Sequence, residues 1–326
     1  MTEKPKWRWG KYRWVLLLVI ILQIILAGIY PPVMPHIQVP GEVLTWIGGF
    51  GLTNTLVATF LADLVILLIV WLVNRGLSKD NLVPKGWASA LEAYVEFIYN
   101  FTQNNAGKWA KQIFPFFATI TLLVLVCNWM ELIPGVDSIG LYNLEHAEHA
   151  LEASGKHASE ACKLYEILPG VIGIGGEREC SKAVVPFVRV ASTDLNFTAS
   201  LALVSVFMTQ VLGVRALGPG YFFKFFNVKT MFSRPFWGFL DWGVSLLELI
   251  SELSKVLSFS FRLFGNIFAG SVLLFIVGSF VPVFVQSTFL MLEFFVGALQ
   301  AIVFGMLTMI FMSMAVKGHG HEEKEH

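Results

Sequence analysis

Apolar residues along this chain gather into long blocks broken by short polar stretches, and the blocks define the elements. A basic, Trp-rich start, MTEKPKWRWGKYR, leads into an apolar run from Trp14 to Tyr30. Further runs cover Thr53 to Val73, Phe114 to Ile133 and Leu195 to Val214. Each is close to the roughly 20 residues that a helix needs to cross a bilayer. Two longer blocks close the chain, Gly243 to Val281 and Val283 to Val316, with a turn around Pro282 between them. At 1.5 Å per residue these two helices are about 50–60 Å long. Ordinary tilt does not absorb that excess, and neither block has an interior Pro at which to break. The pattern predicts an all-α membrane protein of about six helices, the last two a long, strongly tilted antiparallel hairpin.

Polar positions inside those last blocks break the apolar rule in a regular way. On a helix of about 100° per residue, Glu248, Ser251, Lys255, Ser258, Arg262 and Asn266 fall within roughly 40° of Arg262. Glu252 lies some 80° off that stripe. Charges within a bilayer are costly and mark function by default. In the final block, Glu293 and Gln300 stand seven apart and share a face. Folding the pair about Pro282 sets Glu293 opposite Ser271 and Gln300 opposite Phe264, a turn from Arg262. One side of the hairpin then offers a guanidinium, two amides and a carboxylate at intermediate depth.

Composition and charge fix the class and the sidedness. With 326 residues, 56% of them hydrophobic, and a mean hydropathy of +0.67, this is a polytopic membrane protein. Net charge is zero, and no nucleic-acid-binding motif appears. The run after the basic start is either a signal peptide or a retained first span; Ile29-Tyr30-Pro31-Pro32 is a poor cleavage site, which favours retention. Residues 1–30 thus form a basic N-terminus and first apolar span, and 31–326 the membrane domain proper. Basic residues mark inner segments. Pro31 to Leu52 has none, whereas 75–112 carries Arg75, Lys79, Lys85, Lys108 and Lys111, and 215–241 carries Arg215, Lys224, Lys229 and Arg234. Both termini fall on the inner side.

The polar insert at about 137–190 falls outside, with eight Asp/Glu against five Lys/Arg. Within it, LEHAEHALEASGKHASEACKLYEIL reads as a surface helix and the Gly-rich run from Gly170 to Gly176 as a loop. That run lacks the strand–turn–helix setting of a phosphate loop. His146, His149 and His157 read as a solvated face rather than a metal site, and no cofactor motif is present. Cys162 and Cys180 share this outer compartment and suit a bridge. On the inner side, WASALEAYVEFIYNFTQ has helical spacing and reads as an interfacial amphipathic helix or a dock for a partner helix.

Three further polar groups sit in or at spans. Asp63, mid-span, either lines a water path or is satisfied by a neighbouring helix. Asn128 and Glu131 approach the outer end of the third span. Asp194, before the fourth, reads as an N-cap.

An arginine stays charged under essentially all conditions, so it is a poor proton relay. It is suited to stabilising the ionised form of a passing carboxylate and to blocking direct leakage between two aqueous half-paths. A buried carboxylate such as Glu293 or Glu248 can hand protons on. That chemistry fits ion translocation coupled to a moving partner that brings its own acid.

The residues that carry it also carry a resemblance. SFRLFGNIFAG (Ser260 to Gly270), LQAIVFGMLTMIFMSMA (Leu299 to Ala315), PFFATITLLVLVCNWMELIPG (Pro115 to Gly135) and STDLNFTASLAL (Ser192 to Leu203) are similar to subunit a of F-type rotary ATP synthases. The resemblance implies a non-catalytic stator subunit of a bacterial-type plasma (inner) membrane. Its implied partners are a ring of c subunits, peripheral-stalk b subunits, the other synthase subunits, lipid and protons, with no cofactor. It implies that Arg262 is the essential ring-facing charge and that Asn266 and Gln300 are its polar companions. Glu248 matches an acidic position of the inner half-channel; Asn128, Glu131 and Glu293 match the outer one. Ser271 departs from the family, where Glu or His is common, so Glu131 or Asp63 is needed to complete the outer path. Two other classes use the same groups. A proton-coupled solute transporter calls for internal repeats and broken helices, which the sequence lacks. A non-conducting scaffold would use Arg262 only as an ion-pair partner of Glu248 or Glu293.

Overall fold

The computed structural model describes residues 14, 17–18, 21–22, 25, 39–76, 87–133, 136, 139–142, 162–168, 171–176, 184–225, 235–280 and 284–317. Six helices are resolved among them: α1 (Asn54–Gly76), α2 (Trp87–Ala106), α3 (Ala110–Met130), α4 (Leu195–Leu217), α5 (Pro235–Phe280) and α6 (Phe284–Lys317). The expected first span is described only at 14, 17, 18, 21, 22 and 25, and the backbone is helical at each. Five helical segments are long and apolar enough to cross a membrane; one of them runs through α2 and α3 as Leu91–Met130. The protein is an all-α membrane protein with a multi-pass pattern.

The ends of these helices follow from their sequence. Thr53 Oγ accepts the Leu56 amide at 3.3 Å and caps α1. Asp194 caps α4 by accepting the Asn196 amide at 2.9 Å, as its type and position predict. The last-but-one helix begins eight residues earlier than the apolar block, at Pro235; proline tolerates the first helical position because the amide it lacks is unsatisfied there anyway.

Short strands were not expected. β1 (Val43–Ile47) and β2 (Phe50–Thr53) form an antiparallel hairpin leading into α1. The insert holds β3 (Gly140–Tyr142), β4 (Cys162–Leu168), β5 (Val171–Gly176) and β6 (Val184–Pro186), paired as β3–β6 and β4–β5. The surface-helix reading of the insert is thus corrected at Cys162–Leu168, and the loop reading at Val171–Gly176. The reason lies in alternation: Tyr165 and Ile167, and Ile172 and Ile174, are strand formers two apart, and Pro169-Gly170, the turn signal between the paired ends Leu168 and Val171, stops a helix. Residues 144–161, with the three insert His, lie outside the described residues.

The chain divides into two compact units. One comprises Met1–Gln38, Ser138–Pro186 and Ala269–Glu293, and so holds the insert strands and the turn end of the last hairpin. The other comprises Val39–Asp137, Phe187–Phe268 and Phe294–His326. In this larger unit one core joins α2, α3, α4 and α6 through Ile98, Ile113, Phe117, Leu212, Met309 and Met312. A second joins α3, α4, α5 and α6 through Val124, Ala202, Phe259, Leu263, Ile267 and Phe304. The helix read as interfacial, α2, therefore contributes to a buried core. Close approach of α3 and α6 depends on Gly305: a Cβ there would collide with the Thr121 hydroxyl and come 2.9 Å from the Phe117 ring.

Candidate functional site

Burial decides which side of α5 is available. Phe259, Leu263 and Ile267 are buried in the core, so the opposite side of the helix turns outward. Ser251, Ser254, Ser258, Arg262 and Asn266 are exposed, flanked by exposed Leu257 and Phe261. The face is a shallow track of small polar side chains with one guanidinium in it. Arg262 Nη2 donates to Ser258 Oγ at 3.4 Å, its one hydrogen bond among the described residues, and no described carboxylate forms an ion pair with it. The Arg262–Glu248 clamp that a scaffold would use is absent among the described residues.

Asn266 donates to Gln300 Oε1 at 2.7 Å, which brings the two expected amides together across α5 and α6. Gln300 is buried, and its Nε2 has no acceptor among the described residues. The pairing is two residues from the predicted register, in which Gln300 faced Phe264. In the smaller unit, Glu293 is likewise one residue off: its carboxyl lies on Gly270, where a Cβ would come 2.5 Å from the carboxyl carbon. Antiparallel helices interlock between positions rather than directly opposite, which accounts for both offsets. Glu293 is 8% exposed, and its Oε1 has no partner among the described residues. Ser271 adjoins this contact.

The predicted stripe on α5 bends at Lys255. Rather than following Arg262 outward, Lys255 pairs with Glu252 at 2.7 Å and lies 4.8 Å above the Phe311 ring of α6. Glu252, set apart by the helical wheel, is buried, and a buried acid needs such a partner. Two residues that the sequence reading passed over join it. Tyr221 is buried, within electrostatic reach of Glu252 and Glu248, and donates to Gln210 Oε1 at 2.8 Å. Gln210 has no recognisable motif; only the i, i+3 spacing of Glu252 and Lys255 hinted at this cluster.

At the other end of the larger unit, Asn128 is fully engaged. Its Nδ2 donates to the Gly297 carbonyl at 3.0 Å, and its Oδ1 accepts from Ser192 at 2.6 Å. It thus fastens α3 to α6 and to the turn before α4. Trp129 repeats the link, stacking on Phe294 at 4.7 Å. Glu131 is half-buried just beyond α3. Asp194 is buried and also accepts from Thr55 at 2.8 Å, so Ser192 and Thr55 are polar companions the sequence reading missed, although Ser192 stands in a quoted motif. Asp63 stands apart, exposed on α1.

The sequence matches the pattern of the family described as "ATP synthase A chain" over residues 56–313. Relatives named ATP synthase subunit a agree along nearly the whole chain. That of Moorella thermoacetica is 24% identical over 286 residues, covering 88% of this chain and all of the relative. That of Pseudoalteromonas atlantica is 30% identical, covering 83% and 92%, and that of Chloroherpeton thalassium 27%, covering 86% and 72%. The matched stretch takes in α3 to α5 and nearly all of α6, with every polar group just described on them; the chain belongs to the ATP synthase A chain family.

Proposed function

We propose that the chain is the ion-conducting stator subunit of a membrane ATP synthase, not catalytic by itself. It passes protons through two offset half-paths to and from the carboxylates of a rotating c-ring. The observation that carries the reading is Arg262: a permanent charge on an exposed track of small side chains, with no carboxylate among the described residues to neutralise it. A charge so placed in a membrane requires an acid from elsewhere, and a passing ring carboxylate supplies one intermittently. Arg262 favours the ionised form of that carboxylate, so the proton leaves before the carboxylate passes, and direct leakage between the half-paths is blocked. Gln300, with a buried amide donor to spare, and Asn266 position the approaching acid.

On the inner half-path Glu248 exchanges protons, with Tyr221, Gln210 and the Glu252–Lys255 pair forming its polar wall. On the outer half-path Glu293 and Glu131 titrate, while Asn128 serves as a bracket. Ser271 stands next to Gly270, the seat of Glu293, at the position where the resemblance implies an ionisable group. The last two helices lie strongly inclined so that their exposed track follows the ring. Residues 1–30 form a leading basic span, 31–326 the membrane domain, and 137–190 an outer insert. Both termini face the cytoplasm of a bacterial-type plasma membrane, and b subunits of the peripheral stalk hold the stator.

Arg262→Lys tests the reading. The complex is expected to assemble and to lose ATP-driven acidification of reconstituted vesicles, because a compact ammonium lacks the fork and reach of guanidinium. Wild-type acidification by the Lys variant would refute the assigned role.

A further inference from the structure

The outer face of α1 carries an acid that no described residue satisfies. Asp63 is the tenth residue of this 23-residue helix, about 14 Å from its start and close to the middle of a roughly 30 Å hydrocarbon core. Helical spacing puts Phe60, Leu67 and Val70 on the same stripe, and they are 63%, 68% and 52% exposed, with exposed Leu64 and Trp71 along its edge. The other edge of α1 is spoken for: Ala58 and Ala62 are buried against Cys127 and Met130 of α3. Asp63 itself is exposed, and among the described residues it has no hydrogen bond or ion pair. Its charge reaches the buried Cys127 thiol, which is too weak a donor to hold a carboxylate. Towards the inner end, Arg75 is occupied 5.1 Å over the Trp71 ring.

An acid at mid-span whose neighbours are all lipid-compatible is stable only when a donor comes to it. We propose that this stripe of α1 is an interaction surface for a transmembrane helix of another subunit of the complex, and that the helix presents a Lys or Arg to Asp63 at mid-depth. Charge complementarity selects the occupant. An all-apolar helix would leave the carboxylate in hydrocarbon, whereas a cationic one forms a charge-assisted pair where water is absent. The flanking Phe60, Leu67 and Val70 then pack on its apolar face. The inference rests on membership of a multi-subunit complex and not on the proton-path reading.

Photocrosslinking in the purified complex tests it with Asp63 intact. Benzoylphenylalanine in place of Leu67 is expected to capture one membrane-spanning subunit, at a peptide holding a Lys or Arg within a span. Asp63→Leu is expected to lower retention of that subunit during purification by about tenfold or more. Asp63→Lys should do the same, with retention restored when the partner's basic residue is replaced by Asp. Three results would overturn the proposal: crosslinks only to lipid or to this same chain, full retention in Asp63→Leu, or full retention in Asp63→Asn with impaired proton flux. The last would make Asp63 a lining group of a water path instead. Arg262→Lys, whose defect is in flux at full subunit retention, keeps failure of the proton-path reading separate.

Discussion

At the scale of single residues, Glu293 is a buried acid with an unusual seat. Its carboxyl rests on the bare Cα of Gly270, so the two positions act as a unit. Glu293→Gln keeps the volume and removes titration; proton flux through reconstituted complexes is expected to fall about 100-fold, the lower end for loss of a proton-transfer group, with assembly intact. Gly270→Ala keeps the acid but drives it from its seat, and a smaller, partial loss of flux is expected. Equal and near-normal flux in both variants would remove Glu293 from the outer path. Glu293 and Arg262 were legible as candidates in the sequence, because intramembrane charges are rare enough to announce themselves. Gly270 was not, since a missing side chain gives no signal until a neighbour is seen to occupy its place. Lys255 misled for the opposite reason: a wheel places Cβ atoms, whereas a long flexible side chain chooses its partner, here Glu252 and the Phe311 ring.

At the scale of elements, the long helices were readable from apolar run length, α2 from its helical spacing, and caps such as Asp194 from residue type. Strand pairs in the insert were not, since seven-residue runs such as CKLYEIL suit helix and strand alike until the Pro-Gly turn is weighed. Nor was it possible to foresee how helices touch. Gly305 and Gly265 are both helical glycines near the centre of the last hairpin, and their sequence settings look alike. Gly305 faces Thr121 and Phe117, whereas Gly265 has nothing within 4 Å. The two therefore separate packing from function. Gly305→Ala is expected to overpack the α3–α6 contact by about 1–3 kcal/mol, read as a lower thermal midpoint of the detergent-purified complex. Gly265→Ala should leave that midpoint unchanged, yet slow ATP-driven acidification by thickening the track beside Arg262. A stability loss at Gly265 equal to that at Gly305 would show that the exposed side of α5 has been misassigned.

For the molecule as a whole, sidedness follows from charge. The segments at 75–112 and 215–241 are basic and the insert is not, and the proposed topology, with the insert outside, rests on that bias through the positive-inside rule. A polar segment there has little apolar area to hold it in place, and the strands it contains are short. Cys162 opens β4 opposite Gly176 of β5; Cys180 stands four residues further on in sequence, outside the described residues. A bridge between them would close a loop of about 19 residues, for which the chain-entropy estimate is roughly 3 kcal/mol. An exported segment meets an oxidising compartment in which such a bridge persists. Buried Cys127 lies in α3 and serves as an internal control. Under non-reducing conditions, peptide mapping of the denatured complex is expected to recover Cys127 as an alkylated thiol and the two insert cysteines as one linked peptide. Recovery of Cys162 and Cys180 as free thiols would refute the bridge. Labelling of either by an impermeant reagent only from the cytoplasmic side would also overturn the topology, because the same inversion would put the basic segments outside.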